Sequence, residues 1–301
     1  MLLGKFENAW RESDAITAAG GHRGALWDGR PLKSARVLIR CVHGLGDTIQ
    51  FVRYAKSLKA AGSEVIVETH PELAGLLSHL PFVDRVKTWA GDPVNDSEWD
   101  RQIEVMELPY AFRTTGDTIP AIVPYLEIPA LAKLESRKRL RIPSNKPAIG
   151  LMWASSSWNP NRSIGARRLA PVLDFADRGA AFYSFQRGAE QADLQLLRDD
   201  RSIVDTATLS PEIAGTAADL ANMDLFITVD TMAAHLAGAM GIPTWIMLPF
   251  EADWRWMIDR ADTPWYPATR LYRQPRPGDW DSVIENVVEG LRRLSFRKLA
   301  D

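Results

Sequence analysis

The apolar positions of this chain fall into two blocks of alternating strand and helix patterns, separated by a charged stretch. In the first block residues 35–41 form a short apolar run that predicts a buried strand. A glycine turn follows at His43–Asp47, then a helical stretch over 48–61. Strand 64–69, helix 71–80 and strand 84–89 come next, after which 91–100 are polar and no clear period continues to about residue 126. Residues 130–146 hold six Lys or Arg, with Pro143 and Pro147 near their end, and read as a linker. The alternation restarts with strand 148–153, a polar loop to 162, helix 168–177, strand 181–186, helix 190–198, strand 202–207 and helix 211–222. Strand 225–229, helix 232–240 and strand 243–248 form the clearest unit. In the last helix, 279–293, apolar residues recur at 283, 284, 287, 288, 291 and 294, a helical spacing. Strands alternating with helices mean βαβ units and parallel sheets. The expectation is therefore an α/β chain of two Rossmann-like, doubly wound halves, whose ligands sit beyond the carboxyl ends of the strands. The divisions expected are a helical segment and loop over 1–34, a first half over 35–135, a second over 146–278 and a terminal helix over 279–301.

Composition narrows the classes of partner. At 301 residues the chain suits two domains, and 46% hydrophobic with 25% charged residues is ordinary for a globular protein. A net charge of −2 gives no overall basic field for nucleic acid. Cys41 is the single cysteine, which excludes an internal disulfide and a cysteine zinc cage. The opening MLLGKFENAWRESD is too polar for a signal peptide, and no apolar run reaches the ~18 residues of a membrane span. A cytoplasmic protein without a transmembrane segment is expected. Of eleven tryptophans, Trp245, Trp254, Trp256, Trp265 and Trp280 crowd into one stretch, as a packed wall or a stacking surface would.

Four segments could carry chemistry. In His43-Gly44-Leu45-Gly46-Asp47 two glycines permit a tight turn between strand and helix, and the helix start favours an anion. Asp47 is also explained as an N-cap, with no chemistry at all. The spacing is not G-x-G-x-x-G, which argues against a nicotinamide cofactor. In the second segment, Asp230 ends a strand and Thr231 begins a helix of small residues. The free N–H groups of Thr231, Met232 and Ala233 suit a diphosphate, and His235 lies one turn further on the same face. A capping Asp230 and a core histidine explain the same residues equally well. The third segment, Ser155 to Arg162, offers hydroxyls, amides and one guanidinium, and Arg162 is its strongest phosphate candidate. The fourth, Phe250 to Trp256, holds aromatics that would wall a sugar, stack a base or pack into a core. The five histidines show no metal-ligand spacing, and there is neither a Walker loop nor a nucleophile elbow. Asp279-Trp280-Asp281 reads as a helix cap rather than a metal-binding D-x-D.

Together, Gly44-Leu45-Gly46-Asp47-Thr48-Ile49-Gln50-Phe51 and Val229-Asp230-Thr231 through His235-Leu236-Ala237-Gly238-Ala239 resemble glycosyltransferase family 9, the lipopolysaccharide heptosyltransferase group. Leu248-Pro249-Phe250, Asp253-Trp254-Arg255-Trp256 and Pro264-Trp265-Tyr266-Pro267 resemble the branch in which the transferase follows tetratricopeptide repeats, and the opening Gly4-Lys5-Phe6-Glu7-Asn8-Ala9-Trp10 is similar to the end of such a repeat. The resemblance covers about residues 35 to 295. It implies a GT-B fold, with two halves facing across a cleft and a C-terminal helix crossing back to the first. It implies an inverting transfer, without metal or cofactor, from a nucleotide-diphosphate-sugar to a saccharide or protein acceptor. Asp47 matches the general base. Asp230, Thr231 and His235 match the motif that holds the donor diphosphate, and Arg162 falls where a basic side chain meets phosphate. Glu190, with Gln186 nearby, lies near the expected contact to the nucleotide ribose. The sequence departs from the heptosyltransferases in the helix Gln50-Phe51-Val52-Arg53 and in a phosphate loop without Lys, which sets the heptose donor apart as an open point. A fold member that binds a nucleotide or a partner without catalysis is the alternative, and the presence of Asp47 favours activity.

Overall fold

The computed structural model describes residues 1–18, 27–30, 32, 34–155, 159–176, 179–198 and 202–294. The glycine loop at 19–21 and residues 156–158 of the serine loop lie outside them. The chain divides into two compact units, 1–126 and 127–301.

The first unit is built on four parallel strands, β1 (Arg36–Arg40), β2 (Glu64–Thr69), β3 (Arg85–Thr88) and β4 (Arg101–Glu104), in the order β3-β2-β1-β4. The apolar centre of β1, Val37 to Ile39, is fully buried, as expected of a strand covered on both faces. β4 has no counterpart in the sequence reading. Its residues Arg-Gln-Ile-Glu offer one apolar side chain, too few for a pattern. It forms because β1 supplies a partner edge, with Ile39 opposite Ile103. Arg36 anchors the entry to β4 through its backbone N–H and guanidinium, both of which donate to Asp100. The helix Phe6–Ala18 is part of this unit: Trp10 Nε1 donates to the Thr114 carbonyl (2.6 Å), and Asp14 pairs with Arg113 (2.7 Å).

The second unit holds six parallel strands: β5 (Ala148–Met152), β6 (Ala181–Ser184), β7 (Ile203–Asp205), β8 (Leu225–Val229), β9 (Thr244–Leu248) and β10 (Thr269–Arg273). Their order is β10-β9-β8-β5-β6-β7. β10 is the strand the sequence reading lacked; its two arginines break the apolar run. The stretch read as a linker contains a helix, Ala130–Arg139, that belongs to this unit. Its polar residues are spent on packing against the helix Ile213–Leu220. Ser136 Oγ donates to the buried Asp219 (2.6 Å), Arg139 pairs with the same carboxylate (2.5 Å), and Asn222 Nδ2 donates to the Lys133 carbonyl (2.9 Å). The terminal helix Trp280–Arg293 lays Val283, Ile284, Val287, Val288 and Leu291 on the core formed with Ile149, Leu151 and Ile227. Trp245 and Trp280 join that core, and Trp256 and Trp265 are fully buried, so most of the aromatic crowd is packing. Among the described residues no helix is long and apolar enough to cross a membrane.

Candidate functional site

The residues singled out in the second unit come together at the carboxyl ends of two adjacent strands. β8 ends at Val229, and Asp230 and Thr231 make the turn into the helix Met232–Ala239. Thr231 is extended (φ −143°, ψ 170°) and caps the helix by position only, since its side chain accepts no bond from the first turn. That turn carries no acidic residue either. Its leading N–H groups, at Met232 and Ala233, thus meet no capping side chain, the usual condition for an anion site at a helix start. β5 lies beside β8, Met152 opposite Thr228. The loop after β5 closes on itself through Ser155 Oγ, which donates to the Asn159 carbonyl (3.1 Å), and Ile164 N, which donates to the Trp153 carbonyl (2.7 Å). This closure delivers Arg162, whose Nη1 donates to Asp230 Oδ2 at 3.4 Å.

Asp230 is buried, with His235 Nε2 3.9 Å from its other oxygen. Burial pushes its carboxyl above the usual carboxylate range, while the Arg162 guanidinium and the Trp256 indole oppose that rise. His235 is buried as well. Its ring stacks on Trp256 (centroids 5.3 Å, planes 18° apart), and its Nδ1 is hydrogen-bonded with the Tyr266 hydroxyl at 3.0 Å. The helix can approach Tyr266 this closely because position 238 is glycine: a Cβ there would stand 2.5 Å from the Tyr266 ring. Asp230, Thr231, His235 and Arg162 are therefore brought together.

Gln186 is hydrogen-bonded within the protein through both ends of its amide. Its Oε1 accepts from the Trp153 and Ala154 N–H groups, and its Nε2 donates to the Ala154 and Arg187 carbonyls, which uses the whole amide to hold the loop after β5. Glu190 is half-buried in a short 3₁₀ turn, Ala189–Asp193. In the tryptophan loop Trp256 is fully buried and stacks on His235, Trp254 is half-buried and Phe250 is exposed. Trp256 and Tyr266 as supports of His235 escape sequence reasoning, because only the fold places 256 and 266 beside 235.

In the first unit the helix begins at Leu45, three residues earlier than the pattern suggests. Asp47 is therefore not the N-cap but sits inside the first turn, where its Oδ2 accepts from the Gly44 N–H (3.1 Å). Gly44 is exposed; Leu45, Gly46 and Asp47 are half-buried. The neighbouring residue that sequence reading missed is Glu104, the last of β4. It is mostly buried, its Oε2 accepts from the Met106 N–H (2.6 Å), and His43 Nε2 stands 3.8 Å from the same oxygen. Burial raises its pKa, the His43 ring opposes the rise, and Glu107 and Asp47 add to it. The loop is fixed from the other side by His70, whose Nε2 donates to the His43 carbonyl at 2.6 Å.

No protein-family model matches the chain. Protein FlbA of Caulobacter vibrioides is 23% identical to it over 326 residues, covering 97% of this chain and 53% of that protein. The chain thus spans about half the length of this curated relative. Among solved structures it is similar to a glycosyl transferase family 9 protein from Veillonella parvula, with a TM-score of 0.66 and 14% identity over 89% of this chain and 92% of that one. It is equally similar to the E. coli ADP-heptose lps heptosyltransferase II, with a TM-score of 0.66 and 12% identity over 85% and 97% of the two chains. At such identities the likeness is one of fold, and with two parallel-sheet α/β units the chain has the GT-B fold.

Proposed function

We propose that this protein is an inverting glycosyltransferase that takes its sugar from a nucleotide-diphosphate-sugar and delivers it to an acceptor hydroxyl. The observation that carries the reading is the pairing of an uncapped helix start at Thr231–Ala233 with Arg162, from the adjacent strand's loop, one residue from it at Asp230. A diphosphate is the ligand such a terminus suits. In the reaction the acceptor oxygen bonds to the anomeric carbon as the bond from that carbon to the phosphate oxygen breaks. The leaving diphosphate gathers negative charge, which the helix N–H groups and the Arg162 guanidinium meet without a metal. Asp47 takes the acceptor's proton, a task a half-exposed carboxylate on a rigid helix turn can perform. Asp230, already paired, acts by holding Arg162 and His235.

The names of the structural neighbours make ADP-sugars the first donors to try. Purified protein is screened by thermal shift against ADP, GDP, UDP, CMP and their sugars without added metal. A ligand that binds only the folded state raises Tm by mass action. The expected result is a rise with one nucleotide that Arg162→Met weakens, followed by sugar release or transfer. Binding without any turnover would favour the non-catalytic reading, and no shift with any nucleotide would end the donor-site assignment.

A further inference from the structure

We infer that Tyr266 is a positioning residue of the donor site, acting through His235: its hydroxyl fixes which ring nitrogen of His235 faces Asp230 and so keeps the Asp230–Arg162 pair in the geometry that receives a diphosphate. The inference rests on the proposed donor site and names a residue that the site's own motif does not contain.

Four polar groups stand in line in the second unit. The Tyr266 hydroxyl meets His235 Nδ1 at 3.0 Å, His235 Nε2 lies 3.9 Å from Asp230 Oδ1, and Asp230 Oδ2 accepts from Arg162 Nη1 at 3.4 Å. Tyr266, His235 and Asp230 are all buried, at 1%, 5% and 3% exposure, and only Arg162 reaches outward, with a fifth of its side chain exposed. A buried polar group without a partner is costly, so a buried histidine orients by the bonds its two nitrogens can make. Second partners of this kind set tautomer and ring orientation where a histidine serves a site. Here Tyr266 engages Nδ1, leaving Nε2 directed to the carboxylate.

Two further features show that the tyrosine is placed rather than merely present. Its ring occupies the space left by the missing Cβ of Gly238, on the same helix that starts at the candidate phosphate site. The Trp256 ring stacks on the opposite partner, His235, at 18° between planes, so the imidazole is clamped by an aromatic face and a hydroxyl together. The charges around the cluster come from three elements: Arg162 from the loop after β5, His235 from the helix, and Asp253 and Arg255 from the turn that carries Trp256.

The test uses Tyr266→Phe, which keeps the ring on Gly238 and removes only the hydroxyl, and His235→Asn. In the ligand-free protein, nitrogen NMR of the five histidines reports tautomer and titration. For His235 the expected result is a change of tautomer or titration midpoint in Tyr266→Phe, with the other four unmoved. In the nucleotide screen above, Tyr266→Phe is expected to weaken diphosphate binding about tenfold, with the unliganded Tm lowered only by the loss of one hydrogen bond. That loss should vanish in the His235→Asn background, because coupled residues are non-additive. An unchanged His235 signal overturns the inference whether or not a nucleotide binds. An additive loss overturns it too, leaving Tyr266 a packing residue only. A shifted His235 signal in a protein that binds no nucleotide overturns the donor-site role and the proposed function together, while the tyrosine–histidine coupling stands as a structural fact.

Discussion

Replacing Gly238 by alanine is a stringent test of the second unit's packing, because one methyl group meets an aromatic ring with no room behind it. The added carbon would lie 2.5, 2.6 and 2.9 Å from Cδ1, Cγ and Cδ2 of Tyr266. Carbon atoms rest at ~3.5–4.0 Å, so the ring must withdraw by about 1 Å. Tyr266 is 1% exposed, and His235 and Trp256 pack against it. Overpacking of this kind costs ~1–3 kcal/mol. Loss of the hydroxyl–imidazole bond adds ~1 kcal/mol. Alanine is the better helix former by ~1 kcal/mol, which offsets part of the loss. The net expectation is a destabilisation of about 2 kcal/mol, or a Tm lower by roughly 4–8 °C for a unit of this size. Scanning calorimetry of the unliganded protein measures it. Gly75→Ala is the control: the position lies in the helix Pro71–Leu77 with nothing within 4 Å, so propensity alone acts and stability rises by ~0.5–1 kcal/mol. A Tm for Gly238→Ala equal to or above that of the parent would refute the close-approach argument.

Further expectations concern the acid–base groups. Asp47→Asn should leave nucleotide affinity unchanged and lower transfer by about 10²–10⁴-fold in a coupled turnover assay; retained turnover would remove Asp47 from the base role. Burial pushes the Cys41 thiol up to about 12, and as the chain's one cysteine it should react with a disulfide reagent at neutral pH only as fast as the first unit opens; rapid labelling of the folded protein would contradict its burial. Asp230 has a folded pKa raised above its unfolded value, so between those two values the folded state holds the extra proton. Its contribution to stability is therefore present at the acid end of that window and lost as pH rises through it. Asp230→Asn should remove that component from the slope of stability against pH in denaturant titrations, and an unaltered slope would count against it.

Much of the fold was readable because both sheets are parallel and buried, so their strands are nearly continuous apolar runs. The strand 225–229 and the helix that follows match the structure almost residue for residue, since a fully buried strand meets an alanine-rich helix across only the two-residue turn Asp230-Thr231. β4 and β10 were not readable. Both owe their place to a neighbour's hydrogen-bonding edge, and with Arg101, Gln102 and Glu104 in β4 and Arg270 and Arg273 in β10 neither announces itself by hydrophobicity. The same gap hid Glu104, which is the last residue of β4. The charged stretch at 130–146 misled for a related reason. Its polar residues satisfy Asp219 and a helix end, and a polar pattern that serves a buried carboxylate looks like a solvated linker until its partner is placed. At the candidate site, Asp230, Thr231, His235 and Arg162 could be proposed from motif and spacing. Their supports, Trp256 and Tyr266, could not, because sequence distance carries no information about which rings meet.

In the proposed donor site an acid, Asp230, stands next to the helix start that would receive an anion. A carboxylate one residue before a helix start that is to bind phosphate would by itself oppose the ligand, and a neutral residue there would look preferable. The geometry shows what the charge does instead. Arg162 is four-fifths buried, and a guanidinium so placed needs a fixed partner; Asp230 supplies it from the adjacent strand at 3.4 Å. The carboxylate's remaining oxygen faces His235, which the tyrosine and the indole hold in turn. The acid's two oxygens thus each face a basic group, Arg162 on one side and His235 on the other. A diphosphate arriving at the terminus would meet a guanidinium that is already oriented, so little of the binding energy need go to ordering a long side chain. In the proposed donor site charge would then be decided by pairing rather than by the sign of one residue, and Asp230 would favour an anion through the arginine it keeps in place.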